Sequence, residues 1–456
     1  MFNDHQHKLK RRDFVKLGAA AGLGAALGNV SLFNEAQAAR LSAPVSDKLF
    51  TAPPIERVRL GFVGIGGMGS VHVQNLLKIE GAELRALCDI IPEKVERAQK
   101  WVEDAGQPKP SAYTRGNTDF VRMCEQEELD LVYNATPWEW HVPICVAAMK
   151  NGKHTATEVP AAYTLEGCWE LVEGAEKFQK HCVMMENCNY DRFELLTFHL
   201  VRKGMLGEVM HAECGYLHDL RAVKFDYNGE GLWRRAYSMK HNANLYPTHG
   251  LGPVAQCMDI NRGDAFDYLV SMSSNSRGLQ EYVAKTFPEG APERKEKYVL
   301  GDVNLSLIKT KTGRTIMVSH DTNLPRPYSR IKMVQGTKGI VQGHPERVHI
   351  EGRSSGHQWE EAAKYYEAFD HPLWKALNQK DEGVGHGGMD FIEDYRLIEC
   401  LRKGLPMDMD VYDAAALSAV FPLSERSVAN KSRPMDFPDF TRGQWKMRPA
   451  LGIIQG

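Results

Sequence analysis

Six residues, Gly64-Ile65-Gly66-Gly67-Met68-Gly69, have the spacing GxGxxG. Alone, that spacing is a weak signal. Here an apolar run, Val58-Arg-Leu-Gly-Phe-Val63, precedes it, a helical pattern follows, and Asp89 lies twenty residues beyond the last glycine. In that context the loop reads as a dinucleotide site. Gly64 permits the tight turn, Gly66 lets a pyrophosphate approach the backbone, and Gly69 lets helix and strand pack closely. The helix N-terminus adds free N–H groups and the positive end of its dipole. Asp89 can accept hydrogen bonds from ribose hydroxyls and would repel a 2′-phosphate, so NAD is expected over NADP. Trp138, Glu139, Trp140 and His141, then Glu158 and Val159, then Asn187 also follow expected strand ends. Ligands of such folds sit beyond those ends, so these residues join the expected cofactor contacts.

The elements that position them alternate. Strands are expected at 58–63, 83–88, 129–135, 153–157 and 182–186, with helices at about 70–79, 92–105, through Met149, and 165–180. Strands alternating with helices of this length mean a parallel sheet covered on both faces. Beyond about residue 205 the pattern changes to strands at 211–216, 268–273, 303–308, 315–319 and 331–335, joined by turns and Pro-containing loops. That suits a mostly antiparallel sheet in an α+β domain. Residues 387–403 and 412–430 read as helices. The expected organisation is an α/β Rossmann dinucleotide-binding domain over 58–190 and an α+β substrate domain over 191–385. C-terminal helices and a tail over 386–456 pack back on the core.

The N-terminus carries a different message. Arg11-Arg12-Asp13-Phe14-Val15-Lys16 leads into a short Ala- and Gly-rich apolar stretch, and Ala36-Gln37-Ala38 is a small-residue cleavage site. This reads as a twin-arginine signal peptide over 1–38, followed by a Pro-containing lead-in over 39–57. It implies the twin-arginine export machinery as a partner and an exported, periplasmic protein. No segment reaches membrane-spanning length, so no stable membrane anchor is expected. The net charge of −2, with both signs mixed, argues against nucleic acid. The nine cysteines lack CxxC spacing, and a chain exported already folded would keep them as thiols, so no disulfide is expected. The histidines are not spaced as metal ligands, and His386 with Asp390 reads as a structural pair.

Residues 58–160 resemble the glucose–fructose oxidoreductase and inositol dehydrogenase superfamily. The shared segments are the glycine loop, Thr136-Pro137…His141 and Gly152-Lys153-His154…Glu158-Val159-Pro160. Two positions depart from it. The lysine that helps move the substrate hydroxyl proton is Val159 here, and the aspartate of a His-x-x-Asp pair is Gly252, after His249. A closer, full-length resemblance is to glycoside hydrolase family 109, NAD-dependent α-N-acetylgalactosaminidases. It rests on Trp138-Glu-Trp-His141, Tyr246-Pro-Thr-His-Gly-Leu-Gly-Pro253, His386-Gly-Gly-Met-Asp390 and Pro422-Leu-Ser-Glu-Arg-Ser-Val-Ala-Asn430. The resemblance implies NAD on Met68, Gly69, Asp89, Trp138 to His141, Glu158, Val159 and Asn187. It implies the sugar on Tyr216, Arg234, Tyr246, Pro247, Thr248, His249 and Tyr328, with Arg235 the alternative to Arg234. An exposed sheet often pairs in this superfamily, so a homodimer is expected by analogy.

Most glycosidases use two carboxylates. The NAD-dependent chemistry that the resemblance implies is different. C3 of the sugar is oxidised, the C2 proton becomes acidic, the C1 leaving group is eliminated, water adds, and C3 is reduced again, with retention. Such chemistry needs groups that exchange protons. His249 is the expected acid–base residue because imidazole titrates near neutrality, and Tyr246 can share the task. The alternative is a net sugar or polyol oxidoreductase, which Val159 disfavours.

Overall fold

The computed structural model describes residues 52–377 and 386–453; the expected signal peptide, and most of the lead-in, lie outside the described residues. The first sheet has strands β1 (Val58–Val63), β2 (Ala82–Cys88), β3 (Ser111–Tyr113), β4 (Leu131–Asn134), β5 (His154–Thr157) and β6 (Cys182–Met184). They are all parallel, in the order β3-β2-β1-β4-β5-β6. Central strands β4 and β5 are buried along their whole length, as a sheet covered on both faces requires. One face packs Val73 and Leu76 of the helix Gly67–Leu76 with Leu397, Ile398 and Leu401 of the helix Met389–Lys403. The chain therefore returns, more than 300 residues later, to complete the core behind the glycine loop. Strand β3 escapes sequence reading because three residues, two of them exposed, carry no period.

The second sheet has nine strands: β7 (Val209–Leu217), β8 (Phe266–Ser273), β9 (Asn304–Thr310), β10 (Thr315–Asp321), β11 (Met333–Gly336), β12 (Gly339–Gln342), β13 (Arg347–Ile350), β14 (Glu360–Glu361) and β15 (Met435–Asp436). Their order is β14-β13-β12-β11-β7-β10-β9-β8-β15, and β7–β10 is the parallel pair in an otherwise antiparallel sheet. Ala212, Cys214, Ile308, Ile316 and Val318 face the core. Met272, Leu305 and Leu307 are exposed on the other face.

Two differences from the sequence reading bear on function. The stretch 412–430 is two helices, Val411–Ser418 and Val420–Ala429. Pro422 has no N–H to offer the carbonyl of Ser418, so the first helix stops there. The helix Thr248–Cys257 also stands where strands and loops were expected, although it contains Gly250, Gly252 and Pro253. These are poor helix formers. Gly250 is there for packing: a Cβ on it would lie 2.3 Å from the backbone N of Gly215. The helix thus lies directly on β7 and carries His249 beside Tyr216.

All nine cysteines are buried free thiols. Among the described residues, no helix is long and apolar enough to cross a membrane.

Candidate functional site

The glycine loop leaves β1 and opens the helix Gly67–Leu76, whose N-cap Gly66 has no side chain to spend on the first N–H groups. A Cβ on Gly69 would lie 1.9 Å from the carbonyl oxygen of Gly64, and one on Gly64 would lie 2.7 Å from that of Ala135. A Cβ on Gly66 would meet no atom within 4 Å. That open space belongs to a cavity of about 770 Å³ whose lining includes Gly64, Gly66, Met68, Asp89, Trp138 and Val159. The size suits a dinucleotide, and the free N–H groups suit its phosphates.

These packing differences separate two substitutions. Gly69→Ala drives a methyl into backbone and should cost about 1–3 kcal/mol or more in denaturant unfolding. Gly66→Ala should leave unfolding of the cofactor-free protein within about 0.5 kcal/mol while weakening NAD binding in calorimetry. Equal NAD affinity in Gly66→Ala and wild type would contradict this assignment.

Asp89 is buried, and its two carboxylate oxygens accept the backbone N–H groups of Ile65 at 2.7 Å and Ile91 at 2.9 Å. It therefore fixes the loop as well as facing the cavity. His141 also lines the cavity, but its ring is spent on structure. Nδ1 is 2.8 Å from the carbonyl of Pro160 and Nε2 is 2.7 Å from that of Thr136, which ties two strand-end loops together. Burial holds its pKa below the ordinary value. Trp140 lines the cavity, whereas Glu139 is exposed.

Glu158 and Asn187 reach backward into a buried polar network. Glu158 Oε1 is 2.8 Å from His72 Nε2, and His72 Nδ1 is 2.9 Å from Asp394. Burial opposes charge on His72, but Asp394 and then Glu158 outweigh it, so its pKa is raised well above the ordinary value. His72 thus bridges two carboxylates. Asn187 Nδ2 donates to Asp390 Oδ1 at 2.7 Å, while its Oδ1 has no partner among the described residues. Asp394 and Asp390 both come from the helix Met389–Lys403.

On the substrate-domain side, Tyr246 stacks on Trp138 at 5.8 Å and packs against Tyr216 at 4.6 Å and His249 at 4.8 Å between ring centroids. Tyr328 stands 6.1 Å from Tyr216. Burial raises the phenols of Tyr216, to about 12, and of Tyr246 and Tyr328, so all three are neutral. Pro247 is the N-cap of the helix that begins at Thr248, and the buried Thr248 Oγ1 has no partner among the described residues. Arg234 lies 5.5 Å over the Tyr246 ring and 5.8 Å over that of Trp138. Arg235, one residue on, lies over Phe225 and Tyr227 and pairs with Glu296. The two arginines leave the helix Gly231–Lys240 in different directions, and Arg234 is the one on the cavity wall.

Sequence reasoning missed two residues. The first is Glu186, fully buried two residues past β6, whose Oε1 lies 2.7 Å from His249 Nδ1. A Cβ on Gly252 would lie 2.8 Å from Glu186 Cγ. The carboxylate absent at position 252 is therefore supplied from another element, through space that only glycine leaves. With an acceptor on Nδ1, the ring carries its proton there and presents Nε2 as a base. Glu186 and His249 also lie within 4.8 Å of Cys188 in ligand-atom spacing, but burial keeps the Cys188 thiol protonated.

The second is His386, read from the sequence only as the structural partner of Asp390, a pair that the structure forms. Its Nδ1 lies 2.8 Å from Asp390 Oδ2, and its side chain is 52% exposed. Asp390 raises its pKa. Burial first, then Arg234, push His218 below its ordinary value, and the charges of His249 and His386 add to this.

The comparisons with known proteins divide where the chain does. A model described as an oxidoreductase family with an NAD-binding Rossmann fold matches residues 58–186. A model described as the glycosyl hydrolase 109 C-terminal domain matches residues 190–447. Glycosyl hydrolase family 109 protein 1 of Shewanella sp. (strain MR-4) is 44% identical over 456 residues, covering 98% of this chain and 99% of its own. The alpha-N-acetylgalactosaminidase of Shewanella oneidensis is 44% identical over 457 residues, with the same coverage. An inositol dehydrogenase homolog from Azotobacter vinelandii, solved with NAD+, shares 19% identity and a TM-score of 0.63, covering 86% of this chain and 100% of that one. Levoglucosan dehydrogenase, solved with NADH and levoglucosan, shares 17% identity and a TM-score of 0.61, covering 84% of this chain and 100% of that one. The solved structures share the fold; the match over residues 190–447 and the full-length relatives identify the chain. An NAD-binding Rossmann domain joined to that second domain makes this protein an NAD-dependent member of glycosyl hydrolase family 109.

Proposed function

We propose that the protein hydrolyses terminal α-linked N-acetylgalactosamine, with retention, and keeps NAD as a resident cofactor. Val159 carries this reading. It lines the cavity, is buried, and cannot exchange a proton where a net dehydrogenase of this fold has lysine. The named Shewanella relative supports the choice of sugar.

Bound NAD would supply reversible hydride chemistry at C3 of the sugar, the chemistry that acidifies the C2 proton. The glycine loop, Met68, Asp89 and Trp138, which line the cavity, would hold the cofactor. His249 Nε2 exchanges protons with the sugar ring, steadied by Glu186 on Nδ1. Tyr246, kept neutral by burial, donates a hydrogen bond beside it. Arg234 binds the N-acetyl carbonyl or a ring hydroxyl, while Tyr216 and Tyr328 wall the sugar. His386, whose pKa the hydrogen bond to Asp390 raises and which is open to solvent, gives its proton to the departing glycosidic oxygen.

A cofactor regenerated in every turnover needs no outside pool, so export of the folded, loaded protein to the periplasm through the twin-arginine route is part of the proposal. So is a homodimer, supported by the exposed Met272, Leu305 and Leu307 on the outer sheet face. Sedimentation as a monomer would remove it.

The test uses purified protein, p-nitrophenyl α-N-acetylgalactosaminide and no added NAD. Many turnovers of nitrophenol release without NADH accumulation are expected. NADH rising in step with substrate loss would instead favour a net oxidoreductase.

A further inference from the structure

Residues 226–234 run from the loop after the short helix Arg221–Lys224 into the first turn of the helix Gly231–Lys240 of the substrate domain, yet Asn228, Gly229, Glu230, Trp233 and Arg234 line the cofactor cavity. Both ends of this segment are anchored. Before it, the buried Lys224 donates from Nζ to Thr322 Oγ1 at 2.8 Å and to Asn323 Oδ1 at 2.6 Å. Within it, the Tyr227 hydroxyl bonds Glu293. The Asn228 N–H donates to Asp226 Oδ1 at 2.9 Å, and a Cβ on Gly231 would lie 2.0 Å from the Val223 carbonyl, so the turn is folded tightly on itself.

Glu230 stands where the two domains meet across the cavity. Its Oε2 accepts from both Nε and Nη2 of Arg234, each at 2.7 Å. Its Oε1 faces the phosphate loop, 3.6 Å from where a Cβ on Gly67 would be. A lone carboxylate there would repel a pyrophosphate. Paired with Arg234 it is a neutral bridge between the loop and the aromatic cage, where Arg234 also lies 4.5 Å over Trp233.

We propose that residues 226–234 are a strap that closes the cofactor cavity from the substrate domain, with Glu230 as its positioning residue. One carboxylate oxygen holds Arg234 toward the sugar; the other stands against the phosphate loop. NAD then leaves only when the strap lifts, and the same residue sets how well the sugar binds. This rests on the reading of NAD as a resident cofactor and Arg234 as a sugar contact.

The experiment uses intact holoprotein. The nucleotide content of wild type is first measured by unfolding and extraction. Holoprotein is then mixed with excess isotope-labelled NAD, and bound label is followed by mass spectrometry in wild type, Glu230→Gln and Tyr227→Phe. Loss of one charge-assisted contact should speed exchange about tenfold in Glu230→Gln. Its KM for the aryl glycoside should rise by a similar factor, with kcat changed less. Tyr227→Phe loosens the anchor alone and should speed exchange with KM unchanged. Stoichiometric NAD in wild type with wild-type exchange in both variants overturns the strap. Wild type that yields no NAD on extraction overturns the resident-cofactor reading and the strap with it.

Discussion

Replacing His249 by alanine should lower kcat for an aryl α-N-acetylgalactosaminide by about 10²-fold or more, the usual scale of a lost general acid or base. NAD content should stay at the wild-type level, because His249 is not among the residues that line the cofactor cavity. Glu186→Gln should lose part of that activity and not all of it. The amide can still meet Nδ1, through oxygen or nitrogen, but no longer as a fixed anionic acceptor, so the tautomer with a free Nε2 is less favoured. Steady-state kinetics of both variants, with extracted NAD as the control, check this. Near-normal turnover in His249→Ala would move the proton chemistry to another residue.

The second large effect concerns His386. Nitrophenolate departs without being protonated, so His386→Ala should affect an aryl glycoside little. A serine- or sugar-linked N-acetylgalactosamine needs its oxygen protonated, and there the loss should be about 10²-fold or more. The pH dependence follows from the hydrogen bond to Asp390, which raises the pKa of His386. The acid form therefore persists above the ordinary histidine range, and activity on poor leaving groups falls as pH rises through that raised value. In Asp390→Asn the fall should move to lower pH. Equal losses on aryl and serine-linked substrates in His386→Ala would contradict the role.

The cofactor half of the site was legible because its logic is local. The glycine loop, the strand before it and Asp89 lie within about thirty residues, and each glycine has a separate steric reason that spacing alone conveys. The substrate half is built from distant pieces. Glu186 meets a histidine 63 residues away, and the clue at Gly252 shows only that a carboxylate is absent, not that another fills its room. The helix that carries His249 hides behind Gly250, which lets it lie on β7, Gly252, which leaves room for Glu186, and Pro253. Arg234 and Arg235 are neighbours in sequence, and only the helix separates their directions. His386 and Asp390 have visible spacing, but their nearness to Asn187 depends on the chain returning to the first sheet.

The central claim is that the glycosidic bond is broken by elimination through C2, with the cofactor restored in each cycle. Turnover in D2O, with the hydrogen at C2 of the released N-acetylgalactosamine read by NMR, tests it most directly. The account predicts deuterium at C2 of the product and no net NADH. Product with its C2 hydrogen fully retained would contradict it.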